Sequence, residues 1–104
     1  MELKNLIEKA WENKKLIKNE ETINAIEQVI EKLDNGELRI AEKINGEWVI
    51  NEWIKKAVVL YFPIRKMITI EAGPLEFHDK MKLKTNYKSL GVRVVPHAIA
   101  RYGA

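Results

Sequence analysis

The chain has 104 residues, 46% hydrophobic and 32% charged, with a net charge of +3 and no cysteine. That balance opposes disorder and excludes disulfides and thiolate metal sites, and the length supports one domain with a modest core. No apolar run approaches the ~20 residues of a membrane span. The longest, Ala57–Phe62, is short enough to be a buried helix end, and the opening "MELKNLIEKAWENKK" mixes acids with bases and lacks the apolar centre of a signal peptide. Absence of cysteine agrees with a reducing cytoplasm.

The net charge hides an asymmetry. Residues 1–50 carry 8 basic and 11 acidic side chains, and residues 51–104 carry 10 and 4. The second half therefore favours anions: a carboxylate or phosphate ligand, nucleic acid, or an acidic partner. Lys80, Lys82, Lys84 and Lys88 read more plainly as a solvated edge.

Leu3, Leu6, Ile7, Ala10 and Trp11 recur at helical spacing, and Leu16 and Ile17 extend the same stripe. Asn19 is placed to cap a second helix, with Glu20 and Glu21 in its first turn, where the dipole favours negative charge. Ile23, Ile26, Val29, Ile30 and Leu33 form that helix's apolar face, and Asn35-Gly36 ends it. The two helices read as a helical hairpin.

"LRIAEKINGEWVIN" carries Asn45-Gly46 between two β-prone runs, a strong hairpin signal that pairs Ile44 with Glu47 and Lys43 with Trp48. Glu42 shares a face with Ile40 and Ile44, so the hairpin is expected to be half covered. Asn51 then caps a third helix, whose stripe is Trp53, Ile54, Ala57, Val58 and Tyr61. Val59, Leu60 and Phe62 make its far end apolar all round, which predicts burial, and Pro63 stops it. "KMITIEAG" reads as a short strand closed by Gly73-Pro74, "LEFHDKMKLKTNYKSLG" as a loop with one helical turn around Asn86–Leu90, and "VRVV" as strand-like. The order α-α-β-β-α-β-loop-β is that of an α+β domain.

Few side chains suit catalysis. The five glycines are scattered and form no phosphate-binding loop, and no Ser/His/Asp order is readable. His78 and His97 are far apart, and "HDK" at His78–Lys80 is read as a surface histidine beside an aspartate. Trp11 and Trp53 fall in apolar stripes, whereas Trp48 is the more open case for stacking on a ligand. Arg93, among valines, must face the polar side, pair with a carboxylate or capture an anion, and its planar fork suits a carboxylate. Val94 and Ala98 stand four apart, and Ala100 and Ala104 repeat the spacing six residues on. That is the period of a hexapeptide repeat, which builds parallel β-helices and needs at least about three units to bury a core.

"LRIAEKINGEWVINEWIKKAVVLYF" (Leu38–Phe62), "HDK" and "GVRVVPHAIARYGA" (Gly91–Ala104) together resemble the N-terminal region of the bacterial 2,3,4,5-tetrahydropyridine-2,6-dicarboxylate N-succinyltransferases, or tetrahydrodipicolinate succinylases. The resemblance is close over Leu38–Phe62 and from Gly91, and looser in the first two helices and over Pro63–Phe77. It implies a cytoplasmic homotrimeric enzyme of lysine and diaminopimelate biosynthesis, each subunit an N-terminal α+β domain followed by a left-handed parallel β-helix. The enzyme moves succinyl from succinyl-CoA to the amino group of the ring-opened dicarboxylate. It further implies a division into residues 1–93, the α+β domain, and 94–104, the opening of a β-helix absent from this chain. In the family pattern the arginine of "R-V-V-P" binds the dicarboxylate, and it matches Arg93. The CoA groove and a substrate-binding aspartate of the family have no counterpart in these residues, so no cofactor or metal is expected here and the 104 residues alone are expected to be inactive. His97 stands where the family usually has a second proline, and "FPIRKM" departs from the usual run. The alternative reading is a small basic domain that binds nucleic acid or an acidic protein.

Overall fold

The computed structural model describes residues 2–104. Three helices, α1 (Glu2–Glu12), α2 (Glu20–Asp34) and α3 (Glu52–Ile64), pack against one another and hold the core. Its buried members are Ile7 and Ala10 of α1, Ala25, Ile26, Val29 and Ile30 of α2, Trp53, Ile54, Ala57, Leu60 and Tyr61 of α3, and Met81. Each helix contributes a buried alanine, whose short side chain lets the neighbouring backbone approach. Lys56 of α3 reaches Glu8 of α1 at 2.7 Å and strengthens that seam.

The apolar stripe of the first helix stops earlier than its periodicity suggests. Leu16 and Ile17 sit in a separate 3₁₀ turn, Lys14–Lys18, because Asn13 interrupts the helix and its side chain accepts a hydrogen bond from the Lys15 N–H at 3.2 Å. Asn19 caps α2 as expected, its Oδ1 accepting from the Glu21 N–H at 3.1 Å. At the other end Asn35 occupies the cap and Gly36 the left-handed position after it. Pro63 does not stop α3 but lies inside its last turn. The helix closes one residue later, at Ile64, because a proline φ is itself helical and only the donor is lost. The far end of α3 is also less buried than expected: Val59 is 49% exposed, on the face turned away from α1 and α2.

Strands β1 (Ala41–Ile44) and β2 (Glu47–Ile50) form the Asn-Gly hairpin in the expected register, with positive φ at both turn residues. The expected half cover is absent. Trp48 is 69% and Ile50 52% exposed, and neither face of the hairpin is covered by a helix. Glu42 is drawn in by Asn51 and not by a core: the Asn51 Nδ2 donates to the Glu42 carboxylate and to the Arg39 carbonyl, both at 2.7 Å. Asn51 therefore stands at the N-terminus of α3 without a side-chain cap bond, its amide turned so that Nδ2 holds the hairpin base.

The expected short strand is present as β3 (Ile68–Ala72), and it pairs with β4 (Leu75–Asp79), which occupies the start of the stretch expected to be a loop. The turn of this second hairpin is Gly73-Pro74. Gly73 takes φ +61 and proline supplies the negative φ that follows, the pattern of a type II′ turn. The register places Ile68, Ile70, Ala72, Leu75 and Phe77 on one face and Thr69, Glu71, Glu76 and His78 on the other. A short helix, α4 (Tyr87–Leu90), follows where one turn was expected. Val92–Val95 belongs to no strand, because Gly91 and the turn at Pro96 leave it no ladder partner.

Neither hairpin lies within backbone packing distance of a helix or of the other hairpin, so both extend from the helical layer as arms. The result is a plate of 42 × 39 × 18 Å with a radius of gyration of 15.4 Å, against about 13 Å for a compact chain of this length. Its accessible surface is 7662 Å², about 1,600 Å² more than the scaling for a 12.1 kDa monomer gives.

Candidate functional site

The segment that bears Arg93 is built from two anchors and a turn. Asn86, at φ +65, leads into α4, and the helix ends in a Schellman closure in which the Val92 N–H reaches the Tyr87 carbonyl at 2.9 Å. This first anchor fixes the chain just before Arg93. The second lies where the chain returns: the Lys84 N–H donates to the Ala100 carbonyl at 3.0 Å and the Tyr102 N–H to the Lys82 carbonyl at 2.8 Å. Between them Pro96-His97 makes a turn closed by the Ala98 N–H to the Val95 carbonyl at 3.0 Å. His97 takes φ +75 there, a left-handed conformation closed to proline. This turn is one that a proline at position 97 could not adopt.

Every residue from Gly91 to Ile99 is exposed. Arg93 makes no ion pair and no side-chain hydrogen bond among the described residues. Its guanidinium is open to solvent on a segment whose ends are fixed, and can offer two parallel N–H donors to a carboxylate. Val92, Val94, Val95 and Ile99 stand exposed beside it.

The return of the tail rests on a polar node the sequence reading did not single out. Asp34, at the end of α2, accepts from the Lys84 ammonium at 2.9 Å and from the Gly103 N–H at 2.8 Å, and Lys84 also donates to the Asp34 carbonyl at 2.6 Å. Lys84 is therefore not part of a solvated edge; its side chain is 9% exposed. Gly103, at φ +97, lies so close that a Cβ there would meet the Ile30 methyl at 3.2 Å. Partial burial pushes the Asp34 carboxyl upward, but Lys84 and the Gly103 N–H pull harder and hold it below the ordinary 3.8. Fifty residues separate Asp34 from Lys84, so no local motif announces the pair.

The remaining candidates are dispersed. His78 bonds Thr69 across the second hairpin at 3.1 Å, while Asp79, on the opposite face of β4, is held by a two-pronged contact from Arg101 at 3.0 and 3.1 Å. "HDK" thus forms no acid–base pair. His97 lies in the exposed turn, away from any hydrogen-bond partner for its ring among the described residues. Trp53 is buried in the core, Trp11 lies 4.2 Å beneath the Lys14 ammonium, and Trp48 is the open one, as expected. Among the described residues no three His, Asp or Glu side chains converge as a metal site would require, and no helix is long and apolar enough to cross a membrane.

Comparison with known proteins is consistent along the chain. The sequence model of the family described as tetrahydrodipicolinate N-succinyltransferase N-terminal matches residues 2–64. Proteins named 2,3,4,5-tetrahydropyridine-2,6-dicarboxylate N-succinyltransferase align well beyond that. The one from Coxiella burnetii (strain Dugway 5J108-111) is 50% identical over 99% of this chain, and the one from Legionella pneumophila (strain Paris) 46% over 98%. The one from Pseudoalteromonas translucida is 42% identical over 99%. The chain spans about two fifths of the length of these relatives, 41% in each case.

Proposed function

The chain belongs to the tetrahydrodipicolinate N-succinyltransferase N-terminal family, and from that premise we propose that it serves as the N-terminal domain of a succinyltransferase. The enzyme would transfer succinyl from succinyl-CoA to the amino group of the ring-opened dicarboxylate in lysine and diaminopimelate biosynthesis, in the cytoplasm and as a homotrimer. Residues 1–93 form the domain in this reading, and 94–104 begin a hexapeptide-repeat β-helix. The observation that carries the reading is the family match over residues 2–64, which the relatives extend through the segment containing Arg93. The flat shape and bare apolar surface support a domain that packs on further protein.

Arg93 is the substrate-binding residue in this proposal, pairing its fork with a substrate carboxylate. Its freedom from any internal ion pair supports the role, since a guanidinium already engaged would have to be released first. In an enzyme carrying this domain, Arg93→Ala should weaken dicarboxylate binding by roughly 1.5–3 kcal/mol, the worth of a charge-assisted contact. The check is steady-state kinetics with both substrates; unchanged KM and kcat would remove Arg93 from the site. The 104-residue chain alone should release no CoA from succinyl-CoA in a dicarboxylate-dependent manner, and release would refute that expectation. The reading as a basic module for nucleic acid gains nothing from the structure. Lys56, Lys84 and Arg101 are committed to Glu8, Asp34 and Asp79, which removes three of the cations of the second half from such a surface.

A further inference from the structure

A groove of about 480 Å³ lies beside α2, within the range of small-molecule sites. Glu27 and Glu31, one turn apart on α2, form one wall. Tyr61 of α3, Arg65 just past its end, Lys82 of the segment before α4 and Tyr102 of the returning tail form the other. Acids therefore face cations across a single cleft.

Three features set it apart from an ordinary surface depression. Tyr61 is only 3% exposed, and its hydroxyl makes no hydrogen bond among the described residues. A tyrosine buried to this degree normally points its O–H at a partner. No fully buried side-chain oxygen is left unsatisfied, so this hydroxyl is reached through the groove its residue lines. Second, the cations are oriented. The Arg65 Nε donates to the Lys80 carbonyl at 3.1 Å and its guanidinium lies 5.6 Å from the Tyr61 ring centre, leaving its terminal nitrogens uncommitted. The Lys82 ammonium lies 4.2 Å from the Tyr102 ring centre. Third, none of Glu27, Glu31, Arg65 and Lys82 enters an ion pair among the described residues, although opposite charges line one cleft. Burial raises both phenols, with Arg65 opposing and Glu27 adding at Tyr61, and Glu31 adding at Tyr102. Both hydroxyls therefore remain protonated donors at neutral pH.

We infer that this groove binds a small zwitterion, an amino carboxylate whose carboxylate meets Arg65 and Lys82 and accepts from the Tyr61 hydroxyl, whose ammonium lies between Glu27 and Glu31, and whose carbon chain covers the tyrosine rings. A lone carboxylate would satisfy the cationic wall but face the two glutamates, and a lone ammonium would face Arg65 and Lys82, so each half-ligand meets an uncompensated wall. Arg93 does not line the groove, and the site stands independently of the succinyl-transfer reading.

The test is calorimetric titration of the 104-residue chain with 6-aminohexanoate, alongside hexanoate and hexylamine at the same ionic strength. Saturable binding is expected for the zwitterion, at least about tenfold tighter than for either control. Tyr61→Phe should weaken it about fivefold to tenfold, as the loss of one hydrogen bond does, and Arg65→Gln more. Glu27→Gln, an exposed change on α2 that leaves the fold alone, should also weaken it, and circular dichroism of each variant reports the fold. Arg93→Ala should bind as the parent does. No saturation by about 10 mM, equal affinity for a single-charge control, or full affinity in the Glu27 and Arg65 variants would overturn the site. Loss of binding in the Arg93 variant would overturn its placement.

Discussion

Asp34→Asn is expected to lower the stability of the domain by about 3 kcal/mol, read as a lower urea midpoint at unchanged slope. The aspartate carries two charge-assisted bonds that reach 50 and 69 residues along the chain, to Lys84 and Gly103. The change keeps an Oδ1 that can accept but removes the negative charge opposite the Lys84 ammonium, whose side chain is 9% exposed, and so leaves that cation uncompensated. A buried pair broken on one side costs about 3–5 kcal/mol; the lower end applies because the Asp34 side chain is 21% exposed. In a domain this small the melting temperature should fall by more than about 10 °C. The pH dependence supplies a second readout. The folded carboxyl is held below its ordinary 3.8, so as pH falls the unfolded chain takes up this proton first. The contribution is complete above the unfolded pKa and is lost as pH drops through the folded one. The parent should therefore lose stability more steeply than the Asn variant below about pH 4. A variant within about 0.5 kcal/mol of the parent would show that the node does not hold the tail.

Leu60→Ala should cost about as much, for a different reason. Leu60 is 1% exposed and sits with Ala57 and Tyr61 on the face of α3 that meets the other two helices. Removing its branched end loses transfer free energy and leaves a cavity, together about 3 kcal/mol and within the usual 2–5. The three helices supply all of the buried apolar core but Met81, so the loss falls on global stability. Val59→Ala, one residue away and 49% exposed, should stay within about 0.5 kcal/mol. Urea unfolding of the two variants side by side decides it: similar losses would mean that α3 does not present the face described.

The helical layer was legible because its signals are local. A stripe at helical spacing, Asn19 followed by two glutamates, and Asn35-Gly36 each act within one or two turns. The Asn-Gly hairpin was legible in register but not in environment, since alternation of side chains says which face a residue takes and not whether anything covers it. The first strand of the second hairpin was read, but its partner was missed because Gly73-Pro74 reads equally well as a terminator, and "LEFHD" is too short for its alternation to stand out. "VRVV" had strand propensity without a partner, and propensity alone does not make a ladder. Residue type and family resemblance together singled out Arg93; the structure shows it exposed and, among the described residues, unpaired. Asp34, Lys84 and Gly103 were invisible for the opposite reason: their meeting is a property of the folded chain alone. Tyr61 was assigned to the core stripe correctly, but only the packing around it shows that its hydroxyl opens outward.

The two anchors on either side of Arg93 set how far it can travel. The Val92 N–H bond to Tyr87 and the Ala100 carbonyl bond to Lys84 close a short loop over residues 93–99. A loop tethered at both ends searches a volume limited by its own contour, and the entropy of joining those ends is lost when the domain folds. Ordering that would otherwise be charged to ligand capture is thus moved upstream, and the guanidinium is held at a high effective concentration near whatever surface the domain meets. Cutting either tether should slow arrival and loosen grip together, because a freed arginine must then find both its place and its partner.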